Sequence, residues 1–326
     1  MKILYGIQLT GNGHITRSVE IIESLKRRGF EVDIITSGSN SQLSMPYEIK
    51  NHFRGLSFHY NRKGGIDWIK TIINLDAIRL LRDIKYDTRC YDIVISDFEP
   101  ISAYSARRDG TKSIGIGNQY SIYSENTPSP KRKDFFAELF IRNFAKCSKI
   151  IAIGYKKYEE SMSLPVIGKS LLENSKKEED FYLVYLPSIS TEHLAKCINE
   201  YGTGNWIVYS PESKENKTDG RIAIKRPSKE EFQKDLLSCK GVITASGFST
   251  TSEALVLKKK LWSIPIKGQY EQLCNSEMLK DMGVFTEPFS KQAIAKWVGE
   301  YESAEYEWEN PIEEIVEKII RFNEEN

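Results

Sequence analysis

Short apolar runs alternate with stretches of helical periodicity along the first half of the chain. The apolar runs cover residues 2–7, 30–38, 91–97, 111–117 and 149–154. Each run is bounded by turn residues and therefore predicts a buried strand. From Thr16 to Arg28 apolar residues recur at helical spacing and Gly29 follows as a stop signal, which predicts a helix. Strands that alternate with helices in this way predict a parallel α/β sheet.

The same alternation restarts after the polar stretch 171–180. Further strands are predicted at residues 181–188, 205–211, 241–247 and 261–266, with helical patterns between them. The sequence therefore predicts two Rossmann-like, doubly wound α/β domains, an N-terminal one at 1–160 and a C-terminal one at 161–310. The amphipathic segment 311–326 is expected to form a helix that packs back on the first domain. Two such domains face a cleft, and open α/β sheets bind ligands beyond the carboxyl ends of their strands.

Charge is unevenly distributed between the two halves of the 326-residue chain. Residues 1–160 hold 25 Lys and Arg against 18 Asp and Glu, whereas residues 161–326 hold 21 against 27. A basic first half suits an anionic partner or an acidic membrane surface, although ordinary variation between two surfaces explains it equally well. We expect no nucleic-acid partner.

Several features of the sequence indicate a cytoplasmic location. The five scattered cysteines form no CxxC or His/Cys cluster that would bind zinc, and their odd number suits reduced thiols. The N-terminus lacks the apolar core of a secretory signal, and no apolar run reaches the roughly 18 residues of a membrane span. We therefore expect a cytoplasmic protein, either free or attached peripherally to the inner face of the cell membrane.

A glycine turn follows the first predicted strand. Gly11 and Gly13 form half of a dinucleotide-binding fingerprint, but Thr16 stands where the third glycine belongs, and the acidic residue after the second strand is missing. An NAD-dependent oxidoreductase is therefore the last of the alternatives. The turn instead presents His14 at a helix start, where the helix dipole disfavours a protonated ring and a general base needs a neutral one. A histidine that merely caps the turn by hydrogen bonding is the simpler alternative.

Asp97 ends the predicted strand 91–97, at the edge of the sheet that faces the cleft. A carboxylate hydrogen-bonded to one ring nitrogen of His14 would fix the tautomer and stabilise the imidazolium once it forms. An Asp at the end of a strand is also a common helix N-cap, so both interpretations stay open.

The segment 241–279 carries a sharper signal. A strand leads into Gly247, and Ser249 and Thr250 then open a helix whose free N–H groups suit a phosphate. Glu253, one turn into that helix, suits the two hydroxyls of a ribose. Further on, Glu271 and Gln272 open another helix and suit sugar hydroxyls. Each residue alone has an ordinary alternative, such as a solvated helix charge for Glu253 or a first-turn dipole partner for Glu271.

This segment resembles the donor-binding signature of glycosyltransferases with the two-domain GT-B fold. More specifically, it resembles bacterial and archaeal enzymes related to the peptidoglycan N-acetylglucosaminyltransferase and the UDP-glucuronosyltransferases. The matching motifs are GNGHITR (11–17), VISDFEP (94–100), GIGNQY (115–120), VIGKSLL (166–172) and SGFSTTSEAL (246–255) followed by IPIKGQYEQLCN (264–275). The last block is specific, whereas the first alone is not.

The resemblance implies an inverting transfer of a sugar from a nucleotide-sugar donor, by default a UDP-sugar, to a hydroxyl acceptor. It assigns deprotonation of the acceptor to His14 with Asp97 in support, the diphosphate to Gly247, Ser249 and Thr250, the ribose to Glu253, and the donor sugar to Glu271 and Gln272. The nucleotide base is expected near residues 224–228. Neither a metal ion nor a cofactor is implied, because the helix-terminal N–H groups stabilise the leaving diphosphate. Synthesis of a cell-envelope glycolipid or polysaccharide is the expected role.

The acceptor side is predicted less sharply. Residues 131–147 form a basic, aromatic, amphipathic pattern that either lies on an anionic membrane or is buried against the protein's own sheet. If it binds a bilayer, the acceptor is expected to be lipid-linked; otherwise a free carbohydrate is equally suitable. Residues 60–72 form a second candidate acceptor loop, in which Trp68 offers a flat surface for a sugar ring.

Other functions compatible with the sequence are kept as alternatives. The pattern Gly11 to Arg17 also occurs in the nucleotide-sugar hydrolase of pseudaminic acid synthesis, where the histidine would activate water. A nucleotide-sugar 2-epimerase and a non-catalytic module that binds a nucleotide sugar are weaker alternatives. The identity of the sugar, the acceptor and the oligomeric state do not follow from the sequence.

Overall fold

A computed structural model describes residues 1–38, 45–55, 77–174 and 177–325. Its first sheet has six parallel strands in the order β3-β2-β1-β4-β5-β6. The strands are β1 (Lys2–Gln8), β2 (Glu31–Ser37), β3 (Asn51–Phe53), β4 (Ile93–Asp97), β5 (Ser113–Gly117) and β6 (Lys149–Ala152). The helices around it are α1 (Asn12–Arg27), α2 (Ala77–Asp83), α3 (Pro100–Asp109), a 3₁₀ helix (Asn118–Tyr123) and α4 (Phe135–Phe144).

The second sheet also has six strands, in the order β12-β11-β7-β8-β10-β9, and β9 pairs antiparallel to β10. The strands are β7 (Phe181–Tyr185), β8 (Asn205–Tyr209), β9 (Lys217–Asp219), β10 (Ile222–Lys225), β11 (Gly241–Ala245) and β12 (Lys260–Ile264). The helices are α5 (Lys169–Leu172), α6 (Thr191–Tyr201), α7 (Lys229–Ser238), α8 (Phe248–Val256), α9 (Tyr270–Asp281), α10 (Lys291–Glu300) and α11 (Ile312–Glu324). Each sheet with its flanking helices is called a domain below. The predicted fold class, two Rossmann-like α/β domains, is confirmed.

Burial follows the apolar runs of the sequence. Strands β4 and β5 are buried at every position, as expected for parallel strands covered by helices on both faces. In the second domain, Trp206, Trp262 and Trp297 are at most 1% exposed, and Trp297 packs against the other two. The strand order reverses between β1 and β4. From β1 the chain continues to β2 on one side, and from β4 it continues to β5 on the other side. Such a switch point opens a crevice at the carboxyl ends of the strands.

Helix α11, the last element of the chain, packs on α1 of the first domain. Ile315 and Ile319 are fully buried in the same apolar cluster as Ile21. Ser24 donates a 2.8 Å hydrogen bond to Glu313.

The domain boundary near residue 160 stays a prediction. Among the described residues, no helix is long and apolar enough to cross a membrane.

Candidate active site

The residues predicted for the site gather around two of the cavities that lie between the domains. The larger one, the main cleft, has a volume of about 610 Å³. Its lining includes Gly11, Gly13, His14, Arg17, Phe98, Asn118, Gln119, Gly247, Ser249, Glu271 and Gln272. The smaller one, the interdomain cavity, has a volume of about 150 Å³. Its lining includes Gly13, Thr16, Tyr185, Tyr209, Lys229, Phe232, Ser249, Thr250 and Glu253. The two cavities thus contain every site residue predicted from the sequence except Asp97, which lies behind His14.

The glycine turn brings the two domains into contact. Gly11 precedes α1 with extended backbone, and Gly13 lies in the first turn of the helix. A Cβ atom on Gly13 would lie 1.9 Å from Oγ of Ser249 in the second domain, whereas a Cβ atom on Gly11 would meet nothing within 4 Å. Glycine at position 13 therefore permits the close approach of α1 and α8.

His14 and Asp97 are joined in a buried polar network at the carboxyl end of the first sheet. The Nδ1 atom of His14 lies 2.6 Å from Oδ1 of Asp97. Arg17 donates to both oxygens of that carboxylate, from Nε to Oδ2 at 2.9 Å and from Nη2 to Oδ1. Ser18 donates to Oδ2 at 2.9 Å. Because β1 and β4 are neighbours with Ile7 opposite Asp97, the strand pairing itself sets this contact.

Asp97 is not the cap of the following helix. That role belongs to Glu99, whose two carboxylate oxygens accept from the backbone N–H groups of Ile101 at 2.8 Å and Ser102 at 2.6 Å. The N-cap interpretation of Asp97 is therefore wrong, and its carboxylate is left for the network with His14.

The charge state of Asp97 defines the tautomer of His14. Burial raises the pKa of the Asp97 carboxyl, but its interactions with Arg17 and His14 outweigh burial and lower the pKa to about 2. An ionised carboxylate only accepts hydrogen bonds, so the ring proton is assigned to Nδ1 of His14. The other ring nitrogen, Nε2, is then the basic one, as in a general base held by a carboxylate.

Arg17 belongs to this network but is not among the residues predicted from the sequence. It lies in the GNGHITR motif, but nothing in the sequence shows what its guanidinium contacts. It is 5% exposed, and its Nη2 lies 3.2 Å from Nδ1 of His14. The available signal was its spacing, since residues three apart share one face of a helix.

Phe98 holds the end of β4 in a strained conformation. Its φ of +49° lies in the left-handed region, which residues other than glycine rarely adopt. Its ring stacks on Phe144 of α4 at 4.9 Å and meets Tyr120 edge-on at 5.5 Å. Such strain persists only where the surroundings enforce it, and here it places an aromatic ring in the wall of the main cleft.

Helix α8 begins at the interdomain cavity. Gly247 is its N-cap, so Ser249 and Thr250 lie in its first turn and Glu253 in the next. Burial raises the pKa of Glu253 to about 7, and Lys229 opposes this shift. The Nζ atom of Lys229 donates a 3.1 Å hydrogen bond to Oγ1 of Thr16 in the first domain. Ser249, Thr250 and Glu253 therefore line the same cavity, whereas Gly247 lines the main cleft.

The two residues predicted for the donor sugar have different surroundings. Oε1 of Glu271 accepts from Asn118 at 2.8 Å and from Gln119 at 3.3 Å, which links the second domain to the first. Gln272 is engaged within its own domain, where it accepts from the N–H of Ile266 at 3.0 Å. Both line the main cleft, but Glu271 alone makes a contact across it.

Helix α4 combines the two alternatives predicted for residues 131–147. The helix itself covers Phe135–Phe144, and its Ala137, Ile141 and Phe144 are buried. Phe135 and Phe136 are 68% and 81% exposed, and Leu139 is 49% exposed. Burial of one face is therefore correct, and a second apolar face points to solvent. The other candidate acceptor loop, residues 60–72, lies outside the described residues.

Comparisons with known proteins identify the family. The family model described as glycosyl transferase family 1 matches residues 1–300. The chain belongs to glycosyl transferase family 1. The predicted GT-B fold and glycosyltransferase activity are confirmed, while the more specific subgroup stays a prediction. No curated protein matches this glycosyltransferase.

Solved glycosyltransferases share the fold of this family member at low sequence identity. The glycotransferase of kitacinnamycin is 13% identical, with a TM-score of 0.60 over 99% of this chain and 94% of its own. Arabidopsis thaliana UGT89C1, solved with UDP-L-rhamnose, is 13% identical, with a TM-score of 0.59 over 98% and 94% of the two chains. VinC, solved with dTDP, is 11% identical, with a TM-score of 0.60 over all of both chains.

Proposed function

We propose that this glycosyltransferase moves a sugar from a nucleotide-sugar donor to a hydroxyl acceptor, with inversion at the anomeric carbon and without a metal ion. The observation that carries the proposal is that the His14–Asp97 pair and the N-terminus of α8 face each other between the domains. UGT89C1 was solved with UDP and VinC with dTDP, which supports a nucleoside diphosphate at α8. We take UDP as the default nucleotide.

In the proposed reaction, Nε2 of His14 removes the proton of the acceptor hydroxyl. The acceptor oxygen then bonds to the anomeric carbon as the bond from that carbon to the diphosphate breaks on the opposite side, which inverts the configuration. Asp97 stabilises the imidazolium that results. The charge on the leaving diphosphate is stabilised by the N–H groups and hydroxyls of Ser249 and Thr250 at the start of α8, next to Gly247.

The interdomain cavity is proposed to hold the nucleoside. Glu253 would accept hydrogen bonds from the ribose hydroxyls, and the segment 224–228 would lie beside the base. This is supported by the position of Pro227 and Ser228 in the cavity lining, next to the rings of Tyr185 and Phe232. Glu271 and Gln272 would hold the donor sugar in the main cleft.

The shape of the main cleft supports an organic acceptor rather than water. The cleft, of about 610 Å³, also has to hold the donor sugar, but Phe98, Phe140 and Ile141 give it apolar walls, which suit an organic molecule better than water. This favours transfer over the hydrolysis of a nucleotide sugar. UGT89C1 was also solved with quercetin, an acceptor-sized organic molecule.

We further propose that the enzyme acts in the cytoplasm at an anionic membrane surface, on a lipid-linked acceptor for a cell-envelope glycolipid or polysaccharide. The support is the outer face of α4, where Phe135 and Phe136 are exposed next to the exposed basic residues 131–133. Apolar rings flanked by positive charge suit the interface of an anionic bilayer. The inner face of the same helix lines the main cleft, so an acceptor anchored in the bilayer would reach His14.

The donor assignment is tested by thermal unfolding of the protein with a panel of nucleotides and nucleotide sugars. A ligand that binds only the folded state raises the Tm. We expect a clear rise with UDP or with one UDP-sugar, and loss of that rise in Glu253→Ala. A rise with NAD alone, or with no nucleotide, would contradict the proposal.

The membrane assignment is tested by co-sedimentation with vesicles of phosphatidylcholine, with and without phosphatidylglycerol. We expect the protein to bind the anionic vesicles and the double variant Phe135→Ser, Phe136→Ser to lose binding. Tyr201→Ser, which removes a ring that is 41% exposed on the second domain, is the matched control. Equal binding by all three proteins would show that α4 does not contact the bilayer.

A further inference from the structure

Lys229 extends from the second domain to the first through the interdomain cavity. It is the first residue of α7, which Ser228 caps by accepting from the N–H of Glu231 at 3.3 Å. Its Nζ atom donates to Thr16 Oγ1, one turn after Gly13 on α1. Because Gly13 touches Ser249 at the start of α8, the ammonium group and the expected phosphate site share one wall of the cavity.

The cavity leaves this cation without a full counter-charge. Among the described residues that line it, Lys229 is the only Lys or Arg and Glu253 the only Asp or Glu. The pKa of Glu253 is about 7, so near neutral pH its carboxyl is ionised for only part of the time. Burial lowers the pKa of Lys229, and Glu253 only partly offsets this. A half-buried ammonium bonded to a neutral hydroxyl therefore gains most from a second anion.

We infer that Lys229 binds the diphosphate of the donor, exchanging the Thr16 hydroxyl for a phosphate oxygen when the donor enters the cavity. This rests on the proposed nucleotide-sugar donor. As the bond to the anomeric carbon breaks, the ammonium offsets the negative charge that develops on the leaving diphosphate. It thereby adds a full positive charge to the partial charge of the α8 N-terminus.

The test compares a nucleoside diphosphate with its nucleoside, using UDP against uridine and dTDP against thymidine in titration calorimetry. For Lys229→Met we expect the Kd of the diphosphate to rise about 10- to 100-fold, the worth of one charge-assisted hydrogen bond. The Kd of the nucleoside should change less than about twofold. Lys229→Arg should retain most of the diphosphate affinity. Lys234→Met is the control, because Lys234 lies on the same helix and pairs at 2.7 Å with Glu230 on the surface.

Two further results would overturn the inference. Equal weakening of diphosphate and nucleoside would place Lys229 at the ribose or base instead. Thr16→Val distinguishes two roles of Lys229, namely binding of phosphate and a hydrogen bond that only links the domains. If Lys229 binds phosphate, Thr16→Val should leave the diphosphate affinity unchanged or higher. If Lys229 only links the two domains, Thr16→Val should weaken diphosphate binding as Lys229→Met does. Failure of the proposed function itself is recognised separately, because the wild-type protein would then bind neither diphosphate.

Discussion

At the scale of single residues, the carboxylate of Asp97 is the common partner of the other polar residues in the network of the candidate site. His14 and Asp97 could be predicted from the sequence, because a glycine turn and a strand end have recognisable patterns. The contacts of Arg17 and Ser18 could not be predicted, because Asp97 lies about 80 residues further along the chain and is brought to them only by the pairing of β1 with β4. With Arg17 bound to it, Asp97 stays ionised although it is fully buried. Arg17 therefore acts through Asp97, as a positioning residue for His14.

Replacing Arg17 by Gln should move the acid limb of the rate–pH profile. Arg17 is a main cause of the low pKa of the Asp97 carboxyl, so without its charge that pKa should rise and kcat/KM should fall at a higher pH than in the wild type. The other charged or titratable groups near Arg17 are Tyr5, Tyr120 and Glu271, which the substitution leaves in place.

Arg17→Lys is the control for that profile. It keeps the charge but not the two-pronged geometry, so it should lower the rate with a smaller shift in pH. If both variants lose rate equally at every pH, the role of Arg17 is confined to holding the fold.

Glu253 makes the stability of the protein depend on pH. Its pKa rises from 4.5 to about 7 on folding, so its stabilising contribution is complete below pH 4.5 and is lost as the pH rises through about 7. Glu253→Gln removes this titration. We expect the Tm of the variant minus the Tm of the wild type to be about 2–4 °C larger at pH 8 than at pH 5. Both Tm values are measured by scanning calorimetry without ligand. An equal Tm difference at both pH values would contradict a buried, titrating Glu253.

At the scale of elements, helix boundaries and faces were the parts that the sequence predicted least well. Helix α1 begins at Asn12 rather than at the predicted Thr16, because the two glycines look like a turn and Gly11 provides no side-chain cap. The 3.6-residue period of α4 correctly indicated an amphipathic helix. Which apolar residues are buried depends on its packing against Phe98 and Tyr123, which the sequence does not reveal.

The two glycines before and within α1 offer a matched pair of variants. Alanine at position 13 would collide with Ser249, so Ser249 must rotate or the domains must move apart, and nucleotide binding should weaken about tenfold or more. Alanine at position 11 meets nothing, and its extended backbone accepts any residue, so Gly11→Ala should bind as the wild type does. Titration calorimetry with UDP compares them, and equal affinities would show that the close approach of α1 and α8 is dispensable.

At the scale of the whole molecule, the two domains are joined by contacts between residues far apart in the chain. Tyr155 and Thr251 share a 2.7 Å hydrogen bond, and Glu271 accepts from Asn118. The repeated strand–helix alternation predicted two domains and a cleft. It did not show that His14 and Asn118, the partner of Glu271, would lie on the same wall of the cleft, because that depends on how the domains face each other.

The account as a whole is tested most directly by His14→Ala, with the exposed His193→Ala as control. Donor binding is measured by the Tm shift, and turnover by release of the nucleoside diphosphate in the presence of membrane lipid extract as the source of acceptor. The account predicts that both variants bind the donor as the wild type does, and that His14→Ala alone loses about 10²- to 10⁴-fold in turnover. Undiminished turnover in His14→Ala would contradict the assignment of His14 as the base.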